Sequence, residues 1–271
     1  MGIIAITRGY YSSGNEIAEK VARQLGYGCI SREIILEASK EFNIPELSLI
    51  HAFEDPPSIL DRLTGGKKKY IAHTQATLLK HFLKDNVVYH GFGGHFFVEG
   101  VSHLLKVLIT AKLEYRIPIV MKRDNVSRKE ASRSLKKIDD QRSKWGQKLY
   151  GIEPWDPSLY DLVLRIDKVT VWDAADTICR IARLKQFQTS PESKREMEDL
   201  ALTIKIKNFL MDVKPTVDIY IKRKLVYLVT EAQLSEESEM VNKMGEIMKM
   251  LPDLKGIKVV KELRRKSRAP Q

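Results

Sequence analysis

The chain has 271 residues and a mass of 31.1 kDa, more than one typical domain and short for three. With 43% hydrophobic and 30% charged residues, 15 Gly, 10 Pro and 2 Cys, it excludes wholesale disorder, collagen-like repeats, a disulfide framework and a four-thiolate metal site. The net charge of +11 is focal: residues 121–150 hold ten basic against four acidic side chains, and the tail after Leu263 adds Arg264, Arg265, Lys266 and Arg268.

Ile3–Ile6 reads as a short buried strand, followed by the small-residue turn TRGYYSSGNE. From Gly14 the period changes, and Ile17, Ala18, Val21, Ala22 and Leu25 fall on one helical face that Gly26 and Gly28 end. A brief strand at Cys29–Ile30 precedes a helix over SREIILEASKEF, with Ser31 as its N-cap. Further helices are predicted over Pro45–Phe53 and Lys68–Lys84. Val87–His90 is a third strand running into the turn GFGG, Lys106–Ala111 a fourth, and Ser127–Trp145 a charged helix. Leu162–Ile166 is a fifth strand and Thr170–Phe187 a closing helix. Strands separated by helices imply parallel pairing with right-handed crossovers, hence a doubly wound α/β domain over residues 1–188.

Residues 189–195 are polar, contain Pro191 and read as a linker. Beyond them a helix (Met197–Met211), two strands (Val217–Ile221, Val226–Thr230), a helix (Ser235–Met250) and a strand (Ile257–Glu262) give a small αββαβ domain over 196–263. Residues 264–271 are a basic tail, read as frayed and solvated. No stretch approaches the roughly 20 apolar residues of a membrane span, and no basic-then-apolar leader opens the chain. The cysteines Cys29 and Cys179 fit a reducing cytoplasm, the expected location.

A nucleic-acid binder spreads basic residues over a broad face, so nucleic acid is not the partner expected from this focal surplus. A basic helix over 121–150 suits either a phosphate clamp on a small ligand or an ordinary solvated face.

The turn after the first strand has the geometry of a phosphate site, with successive N–H groups and a helix N-terminus converging. Against the mononucleotide pattern G-x-x-x-x-G-K-[ST], Gly9 and Gly14 are in place, but Asn15 stands for the Lys and Glu16 for the hydroxyl residue. The opening ITRGYYSSGNEIAEKVARQLGYGCISREII resembles the cytidylate kinase-like family, whose members begin with a Ser-Arg pair, an aromatic, a Gly-Ser-Gly-Gly turn and Arg-Glu-Ile-Ala. Thr7, Arg8, Tyr10, Ser12, Gly14, Glu16, Ile17 and Ala18 match; Tyr11, Ser13 and Asn15 depart from it. VVYHGFGG resembles the third strand with its Gly-Arg-Gly, keeping Gly91 and Gly93 but with Phe92 for the Arg. LLKVLITAKLEYRI resembles a fourth strand leading to Arg116, and Asp139 with Arg142 matches the Asp-x-x-Arg of the lid helix. The resemblance covers residues 3–185.

It implies a P-loop kinase-like fold that uses ATP and Mg²⁺ to phosphorylate a nucleoside monophosphate. The phosphate cradle would be Arg8, Ser12, Ser13, Gly14, Asn15 and Glu16. Arg116, Arg133 and Arg142 would contact phosphates as guanidinium forks, with Asp139 orienting Arg142. Arg32, Gly91 and Gly93 would serve the acceptor. No metal-ligand spacing is found among the six histidines, so no protein metal site is predicted. With Asn15 and Phe92 in cationic positions, two readings stand: an active phosphotransferase, or a nucleotide-binding regulator that has lost efficient transfer.

The segment after residue 200 resembles the BON domain in element order and in its Gly-Ile-x-x-Val ending at Gly256, Ile257 and Val260, which implies a ligand-sensing or interaction module. Met240, Met244, Met248 and Met250 along one helix form either core or a docking surface.

Overall fold

The computed structural model of the chain describes residues 2–54, 66–91, 93–98, 100–210, 218–222, 225–230, 242–249 and 254–261. Phe92, Met240, Met250 and the tail 264–271 lie outside them.

Ile3–Arg8 forms β1, the centre of a five-stranded parallel sheet of order β2-β3-β1-β4-β5. Its partners are β3 (Val87–Gly91) and β4 (Leu104–Ala111); β2 (Gly28–Ile30) and β5 (Leu162–Ile166) are the edges. A central parallel strand is covered on both faces, which is why residues 3–6 are all apolar and all essentially inaccessible. Ile4 and Ile6 face α1 (Gly14–Leu25) and α7 (Val171–Ala182), packing with Ile17, Val21 and Ile178.

Strand order reverses at β1, so the crevice beyond its carboxyl end is the place where such folds bind ligands. The register sets Thr7 beside Gly91 and Arg8 beside Ile109 there. The remaining helices of this sheet are α2 (Glu33–Phe42), α3 (Glu46–Glu54), α4 (Gly66–Phe82), α5 (Leu113–Asp124) and α6 (Arg128–Tyr150). This is the doubly wound, P-loop kinase-like α/β fold.

Several boundaries differ from the sequence pattern, each for a local reason. Ser31 does not cap α2; its N–H donates to Glu33 Oε2 at 2.8 Å, and the helix starts at Glu33. The closing helix stops at Ala182, and Lys185–Phe187 is a separate 3₁₀ turn. Helix α5 was not among the predicted elements; Pro118 lies inside it, and an interior Pro opposes helix. Packing overrides that preference: Ile117 and Val120 bury against Ala131 and Leu135 of α6. The Ser127–Glu130 capping box starts α6 where the sequence placed it.

The chain divides into two compact units between Met197 and Glu198, within α8 (Pro191–Leu210). Residues 191–195, read from the sequence as linker, are the first turns of that helix: Pro191 opens it, and Ser190 Oγ accepts from the Ser193 N–H at 3.1 Å. In the second unit β6 (Asp218–Lys222) pairs antiparallel with β7 (Leu225–Thr230), which pairs parallel with β8 (Gly256–Lys261). With α8 and the helix over 242–249, the described elements follow the predicted αββαβ order. Met244 is fully buried in this core and Met248 packs against it, so both serve packing. Among the described residues no helix is long and apolar enough to cross a membrane.

Because β1 carries both the core and the crevice, Ile6→Ala should lower the unfolding free energy by about 2–5 kcal/mol. Urea denaturation followed by circular dichroism measures this as a lower midpoint at unchanged slope.

Candidate active site

The turn after β1 is held by its own polar groups. Gly9 N–H donates to Ile109 O at 2.9 Å and Ser12 N–H to Gly9 O at 3.2 Å. The buried Ser12 hydroxyl donates to Gly9 O at 2.9 Å and lies 3.2 Å from Ile109 O, so it pins the turn to β4. Tyr11 and Ser13 adopt left-handed conformations with φ of 58° and 61°, where nucleotide-binding turns often place Gly. Ser13 does not cap α1; its hydroxyl lies 3.4 Å from Tyr115 Oη. The N–H groups of Gly14, Asn15 and Glu16 in the first turn of α1 therefore have no side-chain cap, and the helix dipole adds positive potential there.

Arg8, the last residue of β1, lies across this helix start. A Cβ on Gly14 would stand 2.6 Å from Arg8 Cβ and 2.9 Å from its Cδ, so Gly14 is glycine to admit the arginine stem. Arg8 is partly buried, burial pulls its guanidinium below the usual range, and its Nε is buried without a partner. Among the described residues no carboxylate lies within ion-pair distance of it. A guanidinium does not shed its proton, so this is a partly buried cation lacking an anion. Asn15 and Glu16 are exposed. Glu16 pairs with Lys20 at 3.7 Å, and Lys20 Nζ also stands 3.5 Å from the Trp172 ring centroid, which leaves Arg8 as the cation of the turn.

Helices α5 and α6 form an arm clamped onto the turn. Arg116, 8% exposed, donates from Nη1 and Nη2 to Asp139 at 3.0 and 2.7 Å, and from Nη1 to Tyr10 O at 3.4 Å. Asp139 was expected to orient Arg142, one helical turn on; the fold gives it a bidentate pair with Arg116 of α5. Arg142 donates to Arg8 O at 2.9 Å and sits 5.5 Å from the Tyr10 ring centroid. Tyr10 and Tyr11 contact each other edge-on and pack on the apolar seam of the arm. Arg133 is exposed on α6 and does not reach this assembly.

A cavity of about 410 Å³ opens beside the turn, a size suited to a small metabolite. Arg8, Arg32 and Arg142 supply its cations; Ile34, Ile35, Ile50 and Ile138 supply an apolar wall. Arg32 also pairs with Glu46 at 3.5 Å, with its side chain 69% exposed. Gly91 lines the cavity, and a Cβ there would stand 2.6 Å from Tyr89 Oη. A Cβ on Gly94 would collide with the same ring, so Gly91 and Gly94 make room for Tyr89. Gly93 turns with φ 78° and supports the packing of Phe96 and Trp145. Tyr89 and Gln141 were not singled out from the sequence. The available signal was Tyr89's position two residues before the end of a strand flanking β1. Burial pushes the Tyr89 hydroxyl up to about 12, so at neutral pH it remains a hydrogen-bond donor.

Two histidines stand near the crevice and stay neutral. Burial first, and the Arg8 charge second, push His90 down to about 4. Burial pushes His95 down to about 3, and its Nδ1 lies 2.8 Å from Thr7 Oγ1. His73 stacks on Phe42 and His81 meets Glu37, so the histidines do not converge. Among the described residues no group of three His, Cys, Asp or Glu could hold a metal ion.

Asp139→Asn removes the counter-charge of Arg116 and should cost about 1–3 kcal/mol in stability, read as a lower melting temperature. The folded chain keeps His90 and His95 unprotonated at pH values where the unfolded chain, with an ordinary value near 6.5, binds protons. Their stabilisation is complete above about pH 6.5 and is lost as the pH falls towards 4. Melting temperatures across that window should decline, and less steeply in a His90→Asn, His95→Gln double variant.

The model of the cytidylate kinase-like family matches residues 3–168. A cytidylate kinase from Staphylothermus marinus is 30% identical over 149 residues, which are 55% of this chain and 75% of that protein. A cytidylate kinase from Methanopyrus kandleri is 40% identical over 60 residues, 22% of this chain and 31% of that protein. In structure, an uncharacterized protein from Eubacterium ventriosum aligns with a TM-score of 0.50 at 22% identity, covering 67% of this chain and 98% of that one. A strand, turn and helix that leave an arginine facing a helix start, within a family match spanning most of the first unit, place this chain in the cytidylate kinase-like family.

Proposed function

We propose that residues 1–188 bind a nucleoside triphosphate at the turn 9–16 and pass its terminal phosphoryl group to a nucleoside monophosphate in the adjoining cavity. The observation that carries this reading is Arg8: a partly buried cation that meets no anion among the described residues, laid over the first turn of α1 and lining the cavity. Phosphate oxygens would satisfy it together with the main-chain N–H groups of Gly14, Asn15 and Glu16. Arg8 thus supplies from the strand the charge that Asn15 fails to supply from the helix.

Arg32 and Arg142 line the same cavity and suit the phosphate of the acceptor, and the isoleucine wall suits its base. Transfer between two bound nucleotides is mostly a matter of alignment and charge neutralisation. Arg8, between the turn and the cavity, is placed to neutralise the phosphoryl group in transit. Tyr89 offers a proton-bearing hydroxyl at the same wall.

Mg²⁺, when bound with the triphosphate, neutralises its oxygens. The side chains around the turn do not form a site for it: Ser12 is spent on carbonyls, Glu16 on Lys20 and Asp139 on Arg116. The ion would arrive on the nucleotide rather than be held by the protein.

A second reading is binding without turnover. The donation of Arg116 and Arg142 to the carbonyls of Tyr10 and Arg8 favours it, since both arginines would have to release the turn to reach phosphate. The second unit is read, from its αββαβ order, as a BON-like interaction module.

Purified chain incubated with ATP, Mg²⁺ and a panel of nucleoside monophosphates should release ADP, and ATP should raise the melting temperature. Arg8→Ala should abolish the thermal shift and lower turnover by about 10²–10³-fold; Asn15→Arg should increase turnover. A thermal shift without ADP release selects the regulatory reading, and no response to any nucleotide overturns both.

A further inference from the structure

The sheet of the second unit buries one face. Ile219, Ile221 and Val226 pack into the core with Ile206, Met244 and Ile247. Strand alternation puts Tyr220 and Tyr227 on the other face, and the register sets them directly opposite each other. Their rings stack with centroids 4.6 Å apart and planes 4° from parallel, and Tyr220 remains 47% exposed.

Charge separates along the same elements. Residues 196–263 are nearly neutral in sum, yet 218–230 and 254–263 hold six Lys or Arg against two Asp or Glu, while 231–253 hold two against six. Lys258 is the register partner of Tyr227 on β8. Lys222, Arg223 and Lys224 follow Tyr220 in the sequence. Alternation puts position 222 on the same face of β6 as Tyr220, and the register puts position 258 beside Tyr227, so two lysine positions adjoin the aromatic pair.

We propose that this sheet face binds single-stranded nucleic acid. An exposed aromatic ring offers a stacking surface to any base, and neighbouring cations attract the phosphate backbone. Duplex bases are already stacked on one another, so they cannot use the tyrosine rings. A protein partner is less well matched, because the strand positions next to the pair are lysines, 222 on β6 and 258 on β8, and Lys is depleted in protein interfaces. The assignment is independent of the nucleotide reading of the first unit, and it differs from the expectation that focal charge drew from the sequence.

Fluorescence anisotropy of the full chain with labelled single strands of about 12 nucleotides, as RNA and as DNA, tests it against a duplex of the same length. Single strands should bind more tightly than duplex, with affinity falling as salt rises. Tyr220→Ala and Tyr220→Leu, the latter keeping apolar bulk without a π face, should each weaken binding about ten-fold or more, while Tyr220→Phe retains it. Arg8→Ala and added ATP should leave it unchanged. Absent binding, equal affinity for duplex, indifference to Tyr220→Leu, or loss on adding ATP would each overturn the assignment; the last would place the strand on the first unit.

Discussion

A guanidinium that meets no anion among the described residues organises the first unit. Arg8 ends a central strand whose other residues are buried hydrocarbon, and its stem crosses the first residue of α1. A guanidinium in that position is costly unless an anion meets it, and the described protein supplies none. The glycine at position 14 makes room for the stem of this arginine, and the uncapped helix start and the cavity adjoin it. The usual arrangement brings the cation from the helix; here the strand brings it, and Asn15 is left at the surface.

The turn itself is held by substitutes for glycine flexibility. Tyr11 and Ser13 occupy left-handed conformations that cost non-glycine residues energy, and the cost is offset by contacts from the arm. Tyr10 and Tyr11 bury against α5 and α6, Ser13 meets Tyr115, and two arginines hold the carbonyls of Arg8 and Tyr10. The conformation of the turn and the position of the arm are therefore one mechanical system. A ligand that drew Arg142 away from Arg8 O would therefore also remove one of the bonds that hold the turn.

The second unit shows how a total can hide a distribution. Residues 196–263 are nearly neutral in sum, yet residues 222–224 and β8 are basic and the segment joining β7 to β8 is acidic. The sum carries no information about which face of a sheet the charges share; the register does.

Much of the first unit was legible in the sequence. The apolar run at residues 3–6, the change to a 3.6 period at Gly14 and the charged helix opening at Ser127 are each local signals, and each element formed where they pointed. Helix α5 was not legible, because Pro118 gives a local signal that only the packing of Ile117 and Val120 outweighs. Asp139 is the plainest case at the site: spacing offers it Arg142 on its own helix, whereas the docking of α5 beside α6 delivers Arg116. Residue order thus determined the strand, the turn and the helix start. The tertiary structure alone decided which arginine stays without a counter-ion and which walls enclose the cavity, since those depend on helix docking between segments distant in the chain, and no local period encodes it.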